Sequence, residues 1–260
     1  MDILSHTITG IAVGAGVGNF VKPPASRGIF ILIGALGGAF PDIDAISLWS
    51  KFDSTLGSWL HLTHTGEQIY CGKFWYSHHG FFHSLLAMAL FGSLFCWIPF
   101  LKNKIAKKKV VLKVHTMWAL TFFLAGTFHL LEDMPTPDNI WGGVRLFFPF
   151  EVYIGGWNYI WWWNNYDLFL IILLSAMLAI ILLYIPHSFR FKKIITSSIL
   201  CIGIGMYCFQ VHQRPVFNFD STSSHYPKNE ANSHLVQQSI LPPYLYQTME
   251  KLDEQLPLYF

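Results

Sequence analysis

Apolar runs separated by short polar breaks dominate the chain. Six of them, residues 4–20, 28–40, 84–101, 114–131, 167–185 and 194–209, are long enough to cross or nearly cross a bilayer. A spanning helix needs about 20 residues at about 1.5 Å each, so the last four runs have the full length and the first two are short. Glycines crowd those first two, in GIAVGAGVG and GALGG. Small residues let helix backbones approach closely, which predicts a tight hairpin. The pattern changes after residue 211. Residues 212–260 form a largely polar tail closing with YLYQTMEKLDEQL, which reads as a short amphipathic helix. The predicted organisation is a membrane-embedded domain over 1–211 and an outward-facing tail over 212–260 that covers or contacts the outer face.

Composition sharpens this into an all-α integral membrane protein of five to six membrane helices. Hydrophobic residues make up 53% of the chain and charged residues 12%, with a mean hydropathy of +0.39, well outside the usual soluble balance. A net charge of +2 is too small to argue for nucleic acid as a partner. Most of the 17 basic residues fall in three short connections, around Lys22 and Arg27, from Lys102 to Lys113, and from Arg190 to Lys193. Six alternating helices put all three on one side, and the positive-inside rule makes that side the cytoplasm. The expected location is therefore the cell's inner membrane, multi-pass, with the long connections 41–83 and 132–166 facing outward. The aromatic run GGWNYIWWWNNY is expected to rest as a belt among the outer headgroups. Nothing basic precedes Lys22, so the first run is expected to stay uncleaved and keep His6. Of the four cysteines, Cys96, Cys201 and Cys208 sit in apolar runs and Cys71 stands alone in a polar loop, which excludes a disulfide framework or thiolate zinc site.

Histidines and carboxylates then gather where the topology places the outer helix ends. His6 opens the first run, PDID brings Asp42 and Asp44 after the second, SHHGFFHS brings His78, His79 and His83 before the third, and HLLED brings His129, Glu132 and Asp133 at the end of the fourth. Singly, each has a plain structural reading. A histidine at a membrane edge usually bonds a backbone carbonyl, PDID can be a helix stop with a cap, and Ser84 reads as the cap of the third helix. Together, four polar groups on one face mark a functional site. Imidazole and carboxylate are zinc ligands, and manganese or iron accept the same set. His129 and Asp133, four apart, share a helix face. Pro41 is expected to end its helix and leave Asp42 and Asp44 on an irregular or extended turn. His6, Asp42, Asp44, His78, His83, His129 and Asp133 are the candidate metal ligands, for one to three ions. Asp44 and Glu132 are the candidate general bases. His61 and His64 read as solvated, whereas His115, His187, His212, His225 and His234 fall on the other side or in the tail.

The motifs MDILSHTITGIAVG, GALGGAFPDIDAI, SHHGFFHSLL and HLLEDMPTPDNIWGGVRLFFPF, covering about residues 1–150, resemble the YdjM-like family of membrane-bound metal-dependent hydrolases, described as LexA-regulated. The resemblance implies a metal-dependent hydrolase, and its third motif pairs His78 with His83, whereas helical spacing alone pairs His79 with His83. His79 stands where that family has arginine. PDNIWG intervenes between Thr136 and Gly143–Val144, so the wall of the pocket is expected to differ. The order of ligand types is also similar to that of zinc-dependent phospholipases C, an analogy of pattern. The resulting expectation is hydrolysis of an ester or phosphoester of a lipid or lipid-linked substrate at the outer leaflet, by a metal-activated water. The alternatives are a transporter or metal-handling protein, which predicts polar groups continuing through the bilayer, and a scaffold whose histidines are only hydrogen-bonded.

Overall fold

The architecture, described from a computed structural model for residues 1–21, 27–107, 112–138, 141–186, 190–216 and 226–255, begins with a glycine contact. Lys22, Lys108, Lys109, His187 and His225 lie outside the described residues. Asp2 starts helix α1 (Ile3–Phe20) by accepting the Ser5 amide at 2.9 Å, which satisfies a donor that a helix start leaves open. Helix α2 (Arg27–Ala39) returns along it. A Cβ placed on Gly10 would overlap the Gly34 carbonyl, one on Gly34 the Gly10 carbonyl, and one on Gly38 the His6 carbonyl. Both helices space these glycines by four, so each presents one bare stripe to the other.

Pro41 bends the chain without ending its helicity. The expected extended turn is instead a 3-10 helical segment, Pro41–Leu48, set at 52° to α2. Proline lacks the amide donor but has the φ of a helix start, so it opens this segment as readily as it closes the previous one. After the short helix α3 (Gly66–Cys71), Ser84 caps α4 (Leu85–Ile105) by accepting the Ala87 amide at 3.1 Å. Helix α5 (Leu112–Asp133) packs back on α4, with Met88 filling the space beside Gly126. Helices α6 (Tyr166–Tyr184) and α7 (Lys192–His212) close the bundle. Five of these helices are long and apolar enough to cross a membrane, or six if α2 and its bent continuation count as one span. The protein is thus an all-helical, multi-pass membrane protein, and among the described residues the one β pairing is an isolated bridge between Val144 and Ile154. Large apolar side chains such as Ile194, Ile202, Met206 and Phe209 stand exposed on α7, the inverse of a soluble helix and the pattern of one facing lipid.

The two ends of the bundle differ in chemistry. At one end Arg27 and Lys192 both donate to the Leu183 carbonyl, at 2.7 and 3.0 Å. The opposite end gathers the starts of α1, α4 and α6 with the ends of α2 and α5. There the tail helices α8 (Tyr226–Ile240) and α9 (Pro243–Gln255) pack. Gln237 pairs with the Tyr166 amide at 2.8 Å, and Asp253 accepts the Tyr166 hydroxyl at 2.8 Å. Arg214 pairs in the interior with Asp167 and Asn165. The aromatic run departs from the expected belt. Trp161 is fully buried and Trp162 nearly so, packed with Trp141, while Trp157 is 50% exposed. The connection folds inward because its indoles find one another and the face of the site.

The glycine contact yields a stability prediction. Gly34→Leu should destabilise the protein by about 3 kcal/mol, because backbone atoms oppose the new side chain. Gly28→Ala, with open space around it, should leave stability unchanged or raise it by up to about 1 kcal/mol. Thermal midpoints in detergent compare the two, and equal midpoints would remove the hairpin contact from this account.

Candidate metal centre

Five histidine rings meet at the tail-covered end, four of them hydrogen-bonded through Nδ1. His129 Nδ1 donates to the Gly38 carbonyl at 2.6 Å, and His79 Nδ1 to the Gly143 carbonyl at 2.9 Å. His6 Nδ1 lies 2.8 Å from Glu132 Oε2, His78 Nδ1 2.7 Å from Asp44 Oδ1, and His83 Nδ1 3.3 Å from Asp44 Oδ2. Carbonyls and carboxylates only accept, so Nδ1 of His6, His78, His79 and His129 carries a proton, which leaves Nε2 as the nitrogen that a neutral ring offers a metal, although His6 Nε2 also faces the Met1 carbonyl at 3.0 Å. Histidines that ligate metals are oriented through the other ring nitrogen in this way.

The Nε2 atoms converge. His83 Nε2 and His129 Nε2 are 3.3 Å apart. Asp133 Oδ2 lies 3.1 Å from His129 Nε2 and 3.6 Å from His83 Nε2, and Asp42 Oδ1 lies 3.5 and 3.6 Å from the same two atoms. Four donors about 2.1 Å from a tetrahedral zinc stand about 3.4 Å from one another. These separations are close to that figure, so the group could hold a metal ion. Asp133 Oδ1 turns the other way, 3.1 Å from His6 Nε2, and also accepts from the Met1 nitrogen. One carboxylate thereby reaches both sides of the cluster. Among the described residues, trios that hold their ligand atoms within 4.8 Å of one another include His78, His79 and His83; His6, Asp42 and His129; and His83, His129 and Asp133.

The expected bases sit differently from the expected ligands. Glu132 is turned away from the open cavity, its Oε2 on His6 and its Oε1 accepting from Thr9, so the geometry makes it the partner that positions His6. Asp44 bridges His78 and His83 through its two oxygens. It hydrogen-bonds the His78 ring and lies beside that of His83 instead of standing free over the centre. His79, which helical spacing pairs with His83 but the family pattern passes over for His78, lies in the cluster. Its ring joins the group because its backbone adopts φ 62°, a left-handed turn that lets consecutive histidines face the same interior. The Gly143 carbonyl and the Arg145 amide, 3.0 Å from the His79 carbonyl, hold that turn. The signal was present in the spacing of four between His79 and His83.

Charge settles differently on these rings. Burial holds the His83 imidazolium down, but the carboxylates of Asp44, Asp42 and Asp133 outweigh it and raise the pKa to about 9. Burial, with His78 and His83 alongside, pushes His79 well below the ordinary value. Above the cluster opens a cavity of about 940 Å³, reached by Asp42, His78, His79 and Asp133. Trp141, from the PDNIWG segment, forms one wall: its indole donates to the Tyr70 carbonyl at 2.8 Å, and its ring lies 4.8 Å from that of His78. Asn139 and Ile140 of that segment are outside the described residues. His61 and His64 stay outside the cluster, as do His115, His212 and His234.

A family model described as YdjM inner membrane protein matches residues 1–213. No curated protein and no solved structure matches the chain.

Metal binding should depend on pH with a definite sign. Below about 9 His83 carries a proton that an incoming ion must displace, so affinity should rise about tenfold per pH unit for each proton released. Zinc titrations of metal-stripped protein between about pH 6 and about pH 8, in buffers of different ionisation enthalpy, measure both the slope and the proton count. Glu132→Gln should weaken zinc binding by about 10- to 100-fold without removing a ligand, as expected for a partner that only orients His6.

Proposed function

Because the chain belongs to the YdjM inner membrane protein family and gathers lone pairs and carboxylates under an open cavity, we propose that it is a membrane-bound metal-dependent hydrolase. Its substrate would be an ester or phosphoester of a lipid or lipid-linked molecule at the outer leaflet. The observation that carries this reading is the facing of His83 Nε2 and His129 Nε2 at 3.3 Å with Asp42 and Asp133 around them. Confinement of the cluster to one end of the bundle favours an enzyme over a transporter, which needs polar groups along the whole path. The positive-inside rule puts that end outward.

The residues divide the work. His6, Asp42, His83, His129 and Asp133, joined by His79, would hold one or more divalent ions, zinc fitting the donor set best. A bound ion would act as a Lewis acid toward a carbonyl or phosphoryl oxygen and lower the pKa of water. His78 is suited to moving the proton. Its Nδ1–H is held by Asp44, and its Nε2, on the cavity, has no hydrogen-bond partner among the described residues. An imidazole so oriented accepts a proton from water at Nε2 and returns it to the departing alcohol. Asp44 thus contributes to base catalysis through His78. The substrate's apolar part has a place as well. A crevice of about 190 Å³ between α1, α5, α6 and α7, lined by Val13, Phe128, Ile172 and Leu200, opens beside Glu132 within the membrane-spanning segments.

Two measurements test this. Elemental analysis of detergent-purified protein should find at least about one zinc per chain, lost in Asp133→Ala and His83→Ala while the fold is kept. His78→Ala should retain the metal and lose about 10²- to 10⁴-fold in hydrolysis of phospholipid vesicles. A wild-type protein that stays metal-free after zinc is supplied would end the hydrolase reading.

A further inference from the structure

The cavity above the centre has a chemical bias of its own. Every charged side chain lining it among the described residues, histidines aside, is a carboxylate: Asp2, Asp42, Asp53, Glu67, Asp133 and Glu230. Asp42 and Asp133 are committed to the centre, so the outer part keeps four negative groups with no lysine or arginine to balance them. Glu67 is exposed and makes no hydrogen bond to the described residues, while Glu230 Oε1 accepts from the Trp163 indole at 3.0 Å and from Asn164 at 2.7 Å. Aromatic side chains stand among these carboxylates: Trp49, Tyr70, Trp141, Trp162 and Trp163 line the same space.

A second observation points to a ligand bridging rim and centre. His78, more than nine-tenths buried, lines this cavity, and its Nε2 has no hydrogen-bond partner among the described residues. It supplies one polar contact for an oxygen of a group that lies partly over the metal cluster. Farther out, a purely anionic substrate would meet carboxylates that no lysine or arginine lining the cavity offsets among the described residues. A cationic one is drawn in by them and by the aromatic faces, which attract alkylammonium groups.

We propose that the cavity selects lipids whose headgroup is a phosphodiester of an ammonium-bearing alcohol, the phosphate at His78 and the centre, the ammonium group among Glu67, Glu230 and the tryptophans. This rests on the hydrolase reading for the fate of the phosphodiester, but recognition of the ammonium group does not require metal. The first experiment therefore measures binding of labelled choline to the full-length protein in detergent by equilibrium dialysis, before and after chelation, with glycerol and sodium as competitors. Choline should bind equally in both states, resist glycerol and sodium, and weaken at least about tenfold in a Glu67→Gln, Glu230→Gln double variant and in Trp163→Leu.

The second arm compares zinc-loaded protein on vesicles containing phosphatidylcholine, phosphatidylethanolamine or phosphatidylglycerol. The two ammonium-bearing lipids should be cleaved at least about tenfold faster than phosphatidylglycerol, and the double variant should lose that preference. Equal cleavage of all three lipids, or choline displaced by sodium at similar concentration, overturns the selectivity and leaves the hydrolase standing. Specific choline binding without cleavage of any ester overturns the hydrolase and leaves the headgroup site standing.

Discussion

The backbone contact at Gly38 is the constraint on which the rest of the structure depends. A side chain there would run into the His6 carbonyl, and the carbonyl of the same residue fixes His129 through Nδ1 at 2.6 Å. One glycine therefore sets both how close α1 comes to α2 and how α5 is held against them. The His6 and His129 rings stack at 3.6 Å as a result. Without a hydrophobic force between helices in lipid, such close van der Waals packing is what binds the bundle, and here it also determines the spacing of the centre.

Around that contact, polar groups at the bilayer edge are arranged to satisfy one another in layers. Asp42 and Asp133 lie in the middle with the Nε2 atoms of His83 and His129, while Asp44, Glu132 and the carbonyls of Gly38 and Gly143 form the outer layer on the Nδ1 atoms. The outer layer fixes the rings of His6, His79 and His129 by hydrogen bonds at Nδ1. In the inner layer imidazole nitrogens and carboxylate oxygens face one another at 3.1–3.6 Å, a set that could hold a metal ion.

The connections that leave the membrane are part of the site. The segment after α5 brings the Gly143 carbonyl and the Arg145 amide to the His79 turn and Trp141 to the cavity wall. The tail reaches the rim through Glu230, which holds Trp163 and Asn164. In α9, Tyr246 and Met249 bury themselves against Tyr166 and Phe169 at the start of α6. The tail, which the sequence reads as a cover or contact at the outer face, thus reaches the cavity through Glu230.

Run length and composition by themselves determined the helices, their number and their alternation, because a helix crossing lipid must satisfy its own backbone and therefore declares itself in about 20 apolar residues. They also placed the polar motifs at one end, and His6, Asp42, His83, His129 and Asp133 were legible as a group from that placement. Residue spacing could not say which carboxylates turn to the Nε2 atoms and which to the Nδ1 atoms. Asp42 and Asp44 are two apart in one 3-10 segment, yet Asp42 turns to the Nε2 side and Asp44 to the Nδ1 side; Glu132 and Asp133 are adjacent and diverge likewise. The choice between His78 and His79 and the inward fold of Trp161 and Trp162 were undecided for the same reason. The direction of a side chain at a turn or helix end is decided by contacts from distant segments, and those exist only once the tertiary structure has formed.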